Sequence, residues 1–230
     1  MITIRKAELS DIAYIAEEYN VNYINFFDGN TVNLDTDCYD SNSHLNPSGA
    51  HKVTSYLGSY LKEHYGIADH RDDPDYAFWH DDYEAYYQFK LEQFISRTNA
   101  YHSLMMLSDD DYSFIMEVNR FDLENNSKYI SLMQNLGIDP ERITEEYSYV
   151  ISDRASGTFQ YISRAELETG AVETSLGILS LELNDSEYTI LLNGEACGTV
   201  AHENQAGHDF RIVLLDLNGK QLAFSQQDIP

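Results

Sequence analysis

A polar loop that leads directly into an amphipathic helix, between residues 37 and 61, constrains the fold of this chain more than any other stretch. Either Asn46 or Ser48 can begin the helix, because a side-chain oxygen at the N-cap accepts a free N–H group of the first turn. Apolar side chains then recur at helical spacing, at Val53, Tyr56, Leu57, Tyr60 and Leu61. This spacing predicts a helix that packs one face on a core.

The loop before this helix carries two acids and a histidine. Asp37 and Asp40 both lie within seven residues of His44. Many hydrolases hold a general base and the carboxylate that orients it on such a loop, so the residues predict a hydrolytic site. The same three side chains offer the oxygen and imidazole ligands that a metal ion takes. Neither a metal nor another cofactor is predicted, however.

The pattern His-Leu-Asn-x-x-Gly-Ala-x-Lys-x-Thr-x-Tyr-Leu-Gly-x-Tyr-Leu at residues 44–61 resembles the last conserved block of the SGNH (GDSL-type) hydrolases. It is closest to the branch found in bacterial cell-envelope polysaccharide loci, and the likeness covers roughly residues 12–95. The resemblance implies that His44 is the catalytic histidine and Asp40 the catalytic acid. The family usually has two residues between acid and histidine, whereas Asp40 and His44 are separated by three, so Asp37 stays an alternative.

The resemblance also shows which parts of such a hydrolase this sequence lacks. The family carries its serine nucleophile in a Gly-Asp-Ser block and an oxyanion-binding Asn in a Gly-x-Asn-Asp block, and neither block occurs in the 230 residues. Residues 1–97 are therefore predicted to be the C-terminal portion of an SGNH-type, flavodoxin-like αβα domain that is inactive alone. A partial sheet exposes an edge, which the second domain, a partner or a second copy of the chain is expected to cover.

The pattern becomes β-rich after a predicted domain boundary at residues 96–99. Strands are predicted at 113–118, 147–151, 158–162, 176–183, 189–192 and 210–215, and a helix at 127–136 that ends at Gly137. Asn193-Gly194 and Asn218-Gly219 predict tight hairpin turns, because both residue types accept positive φ. Roughly from residue 100 to 230 the chain resembles the interleukin-like domain named after an epithelial–mesenchymal transition inducer. The resemblance implies that residues 98–230 are a smaller α+β accessory domain.

The first hundred residues predict an α/β arrangement. A strand is predicted at 2–4, a helix at 11–19, a buried strand at 21–27 and an aromatic helix at 76–94. The aromatic helix suits either core packing or a platform for a sugar chain. Residues 1–12 also resemble the opening of GNAT-type acetyltransferases, but the chain lacks the Gly-rich turn with which those enzymes hold the pyrophosphate of coenzyme A.

Charge limits the partners that this chain can bind. It has 39 acids against 14 bases and a net charge of −25, which excludes nucleic acid and anionic lipid as expected partners. A cell-envelope polysaccharide or a protein is the expected partner instead. The sequence shows no signal peptide and no apolar run long enough to span a membrane, although the family implies the bacterial cell envelope. A disulfide between Cys38 and Cys197 is left open.

Overall fold

The alternating apolar residues of the C-terminal half form two antiparallel sheets in this computed structural model. The structure describes residues 11–26, 31–34, 37–38, 44–96, 100–108, 111–119, 127–143, 148–202 and 209–228. The strands are β1 (Ser113–Val118), β2 (Tyr149–Asp153), β3 (Thr158–Ile162), β4 (Val172–Thr174), β5 (Gly177–Leu183), β6 (Glu187–Leu192), β7 (Glu195–Ala201), β8 (Phe210–Leu215) and β9 (Gln221–Gln227). One sheet has the order β3-β2-β1-β8-β9, and the other has the order β4-β5-β6-β7.

Helices cover one face of the five-stranded sheet, and the four-stranded sheet covers the other. The helices are α1 (11–18), α2 (Pro47–Tyr65), α3 (Phe78–Ser96), α4 (Ala100–Met106), α5 (Ser127–Asn135) and α6 (Arg164–Thr169), with single 3₁₀ turns at Pro74–Tyr76 and Pro140–Arg142. The predicted mixed α/β class is confirmed. None of the helices in the described ranges is both long and apolar enough to cross a membrane.

Successive side chains of β1 point to opposite faces of the sheet, so the strand contributes both to the core under the helices and to the core between the two sheets. Phe114, Met116 and Val118 face the helices and pack with α3, α4 and α5. Ile115 and Glu117 face the second sheet. Because β1 is central and both of its faces are covered, all six of its residues are buried, including the charged residue Glu117.

The prediction of a strand at residues 21–27 is wrong over its described part, residues 21–26, which form irregular chain. The N–H group of Val21 donates to the carbonyl of Ala16 at the end of α1, at 2.9 Å. The ring of Phe26 packs edge-on against Tyr56 of α2 with ring centroids 5.5 Å apart. The apolar run therefore packs on a helix rather than pairing with another strand. The predicted helix at 11–19 is confirmed, and the predicted strand at 2–4 lies outside the described residues.

Most of the predicted elements beyond residue 100 are confirmed. Strands β1, β3 and β8 have the predicted bounds, and the helix predicted at 127–136 is α5, followed by Gly137 at φ 85°. Asn193 and Gly194 both take positive φ, at 54° and 83°, as the tight turn between β6 and β7 requires. At the other predicted turn only Gly219 takes positive φ, because the carboxylate of Asp216 accepts the N–H groups of the turn and shapes it differently.

Helix α3 is buried at its C-terminal end and exposed along its N-terminal half. Leu91 and Phe94 pack into the core beneath the five-stranded sheet, and the hydroxyl of Ser225 in β9 donates to the carbonyl of Phe94 at 3.3 Å. Five exposed aromatic side chains of α3 form what we name the α3 aromatic face: Phe78, Trp79, Tyr83, Tyr86 and Phe89. Of the domain boundary predicted at residues 96–99, Ser96 is the last residue of α3 and residues 97–99 lie outside the described residues, so the boundary stays a prediction.

Candidate functional site

The acid–histidine loop folds back onto the start of α2. An antiparallel bridge joins Cys38 to Leu45, and the N–H group of Asn46 donates to the carbonyl of Asp37 at 2.9 Å. The two ends of the loop therefore meet, and they bring the predicted residue His44 beside the bridge. The predicted acid Asp40 lies outside the described residues, so its position relative to His44 stays a prediction.

The first turn of α2 explains the Leu-Asn-x-x-Gly part of the motif. Of the two predicted caps, Asn46 is the N-cap, since its side-chain oxygen accepts the N–H group of Gly49 at 3.0 Å. Pro47 follows at the first helical position, where its fixed φ suits a helix and no N–H is needed. A Cβ atom on Gly49 would lie only 2.2 Å from the carbonyl oxygen of Asp37. Glycine at this position allows the loop to approach the helix.

Asp37, the alternative acid, is fully buried and holds the loop to the helix. Its carboxylate accepts hydrogen bonds from Lys52 Nζ at 2.8 and 2.9 Å, from the N–H group of Asn33 at 2.8 Å and from the hydroxyl of Ser48 at 3.3 Å. These contacts use most of the acceptor positions of a carboxylate. Asp37 as the orienting acid stays a prediction, but the contacts of its carboxylate favour a structural role.

His44 is exposed to solvent at the end of the loop that leads into α2. A neutral imidazole in that position can accept a proton from a hydroxyl or a water molecule that reaches it. Within the described part of this loop, the imidazole of His44 is the group that can act as such a base.

Two other histidines, His70 and His80, have contacts of a structural kind. His70 Nδ1 lies 3.1 Å from a carboxylate oxygen of Asp73, and His80 Nε2 lies 2.9 Å from the carbonyl oxygen of Arg71. Within the described ranges, no three His, Cys, Asp or Glu side chains are placed to hold a metal ion. The alternative of a metal site from Asp37, Asp40 and His44 includes Asp40, which lies outside the described residues, and it stays a prediction. Cys38 and Cys197 are both buried thiols, and no disulfide joins them.

Sequence reasoning missed a buried charged cluster between the two sheets. Glu117 of β1 is 2% exposed and accepts hydrogen bonds from Tyr188 Oη at 2.6 Å, Arg211 Nη1 at 3.1 Å and Arg164 Nη1 at 2.8 Å. Arg164 also pairs with Glu168 at 2.7 Å, at the exposed edge of the cluster. The sequence signal was one charged residue in the middle of each of two apolar strands, since Glu117 and Arg211 are direct partners in the pairing of β1 with β8.

The burial of tyrosines around this cluster and on the helical side predicts a loss of stability in alkali. Burial, and then the charge of Glu117, raises the pKa of Tyr188 and Tyr149, and burial raises the pKa of Tyr129 to about 12. The neutral phenols thus keep their protons in the fold at a pH where the unfolded chain, with a pKa near 10.0, has lost them. We expect the stability that these groups contribute to be intact below pH 10 and to fall as the pH rises beyond it.

Urea denaturation at a series of alkaline pH values, with tyrosinate absorbance recorded in parallel, measures this effect. The urea midpoint is expected to fall over the pH range in which the buried tyrosines, whose pKa is raised, lose their protons. The fall in the midpoint and the rise in tyrosinate absorbance from these residues are expected to coincide. Complete ionisation of the tyrosines in a chain that keeps its native circular dichroism would contradict the assignment of these phenols to the core.

Comparison with known proteins finds no family model, no curated protein and no solved structure that matches this chain.

Proposed function

We propose that residues 1–97 are the histidine-bearing C-terminal portion of an SGNH-type carbohydrate esterase or acyltransferase domain, and that residues 98–230 are an accessory domain of the interleukin-like EMT inducer type. One observation carries the proposal: the loop before α2 closes on itself through the Cys38–Leu45 bridge and leaves His44 exposed at its end. An exposed imidazole on a loop that is held by a capped helix suits a general base, since its position is fixed while its ring stays accessible.

In this proposal His44 takes the proton of a serine hydroxyl as the serine oxygen attacks the acyl carbonyl, and Asp40 orients the imidazole. The imidazole gives this proton to the substrate alcohol, which leaves as its bond to the acyl group breaks. In the second step the imidazole takes a proton from water or a sugar hydroxyl, whose oxygen attacks the acyl-serine, and returns a proton to the serine oxygen as that bond breaks. The Gly-Asp-Ser block that supplies this serine in the family does not occur in the sequence. The chain is therefore proposed to have no esterase activity of its own.

We expect the purified chain to be inert toward a fluorophosphonate serine probe and toward acetyl esters. In ¹⁵N NMR spectra we expect Asp40→Asn to change the ring-nitrogen shifts of His44, because the carboxylate that selects its tautomer is lost. His51, which is exposed on α2, provides the control, and its ring signals should stay unchanged. Labelling by the fluorophosphonate probe would contradict the proposal that this chain is inactive alone. If Asp40→Asn left the ring-nitrogen shifts of His44 unchanged, the pairing of Asp40 with His44 would be refuted.

A second candidate function is a non-catalytic glycan- or protein-binding module of the cell envelope. The α3 aromatic face favours it, because five large aromatic side chains on one stretch of helix are each about half exposed. Aromatic side chains are enriched in the centres of interfaces, where their burial contributes most of the binding free energy. In this role the acid–histidine loop serves only to hold α2 in place.

A further inference from the structure

The α3 aromatic face is a continuous surface of one helix. Trp79, Tyr83, Tyr86 and Phe89 follow one another at steps of four, three and three positions along one side of α3, and Phe78 precedes them at the first residue of the helix. Their exposed fractions run from 47% for Tyr86 to 60% for Tyr83. Half-exposed side chains of this size present on the order of 500 Å² of aromatic surface, which is large for a single apolar patch on a monomeric protein.

The C-terminal part of the same helix already has its partner. Leu91 and Phe94 are buried against the five-stranded sheet, and Tyr87 packs on the same core. The helix is therefore attached to the core without the help of the α3 aromatic face. This face is the exposed part of a helix whose C-terminal part is already buried, and an exposed aromatic surface of this size points to a docking surface.

The orientation of the rings argues against a flat platform for sugars. A sugar chain stacks its CH groups on exposed, roughly coplanar ring faces. Here the ring planes of Phe78 and Trp79 meet at 70°, and those of Tyr76 and Trp79 meet at 53°. Rings that stand at these angles form projecting knobs, which suit the grooves of a protein partner.

The negative charge around the α3 aromatic face indicates which kind of protein partner can dock there. Asp82 lies one helical turn after Phe78 and one turn before Tyr86, within the aromatic face, and Asp81 and Glu84 flank it. Two copies of this chain, each with a net charge of −25, would bring like charges together at this face. A second copy is therefore a poor occupant, and a cationic segment is a good one.

The chain itself shows how such a face holds a cation. Lys90, one turn beyond Tyr86, places Nζ 5.5 Å from the centre of the Tyr86 ring and 5.2 Å from that of Tyr112. The guanidinium of Arg142 lies 4.0 Å from the ring centre of Tyr161. Cations attract aromatic faces in this geometry. Lysine or arginine side chains of a partner can approach the exposed rings of the α3 aromatic face in the same geometry.

We propose that the α3 aromatic face is the docking surface for a basic amphipathic protein segment, with apolar side chains packed between the aromatic rings and lysine or arginine side chains held by the rings and by Asp82. The inference rests on the binding role given above as the second candidate function, and it names the class of partner. It requires nothing of His44 or Asp40.

Trp79 provides the measurement, because it is the single tryptophan of the chain and is 54% exposed. The full chain is titrated with a short amphipathic peptide of leucine and lysine, and tryptophan emission and quenching by acrylamide are recorded. Docking is expected to shift the emission to shorter wavelengths and to reduce quenching. A leucine–glutamate peptide of the same pattern and a neutral cello-oligosaccharide serve as comparison ligands and are expected to change neither signal.

Two pairs of variants separate docking at this face from general attraction to an acidic protein. Asp82→Lys and Asp185→Lys change the net charge equally, but Asp185 is exposed in the turn between β5 and β6. Asp82→Lys is expected to weaken peptide binding about tenfold or more, and Asp185→Lys much less. Tyr83→Ala is expected to weaken it to a similar degree, whereas Tyr14→Ala, which removes an exposed tyrosine of α1, is not.

Equal losses for Asp82→Lys and Asp185→Lys would overturn the proposal, since the peptide would then respond to net charge alone. A response of Trp79 to the cello-oligosaccharide but not to the lysine peptide would overturn the cationic partner and leave the binding role standing. If Trp79 responded to neither ligand, both the cationic partner and the binding role of this face would be refuted. Concentration-dependent self-association that Tyr83→Ala abolishes would assign the face to a second copy of the chain instead.

Discussion

Replacing Glu117 with alanine is expected to lower the free energy of unfolding by about 3–5 kcal/mol, which is the cost of removing one partner from a buried ion pair. The carboxylate of Glu117 lies between Arg211, which is fully buried, and Arg164, which is mostly buried. Without it, two guanidinium groups share a region of low dielectric constant, and Glu168, which pairs with Arg164, lies at the exposed edge of that region. The hydroxyl of Tyr188 loses its acceptor in the same substitution.

Urea denaturation of the variant measures this loss, with Glu182→Ala as the control because Glu182 is exposed on β5. The double substitution of Glu117 and Arg211 by methionine is expected to recover much of the stability, since two apolar side chains of similar volume can replace a buried pair at little cost. If Glu117→Ala behaved like Glu182→Ala, the charged cluster would contribute little to the packing of one sheet on the other.

Replacing Gly49 with alanine is expected to destabilise the chain by about 1–3 kcal/mol, the usual range for forcing an extra group into a packed site. The new Cβ atom would meet the backbone carbonyl of Asp37, which cannot rotate away as a flexible side chain would. The loop must therefore move from α2, and the buried pair of Asp37 with Lys52 is weakened with it. We expect faster amide hydrogen exchange at Asn46 and at Asp37, whose N–H group donates to Asn33.

The same helix provides the matched control. Gly58 lies in the interior of α2 with no atom within 4 Å of a Cβ built on it. Gly58→Ala is therefore expected to stabilise the chain by up to about 1 kcal/mol through helix propensity alone. Opposite signs for the two substitutions, measured by urea denaturation, would show that contact with the loop decides the effect at Gly49. Equal stabilisation by both would refute the close approach of the loop to α2.

The elements that sequence alone predicted are those whose signals are local. The cap and the start of α2 depend on Asn46, Pro47 and Gly49, which act within one turn. Strands β1, β3 and β8 have alternating or continuous apolar runs bounded by polar residues, so their bounds could be predicted as well. The Asn193-Gly194 turn needs only the conformational preferences of its own two residues.

Tertiary structure alone decided the rest, because the deciding interactions join residues that are far apart in the chain. The apolar run at 21–26 carries the pattern of a strand, but its ring at Phe26 packs on α2 instead. Glu117 and Arg211 are separated by 94 positions, and only the pairing of β1 with β8 makes their charges compatible with burial. Asp37 is an acid near a histidine in the sequence, whereas in the fold its carboxylate binds Lys52. The aromatic pattern of α3 likewise predicted a helix, but the position of the sheet determined which aromatic residues are buried and which are left for a partner.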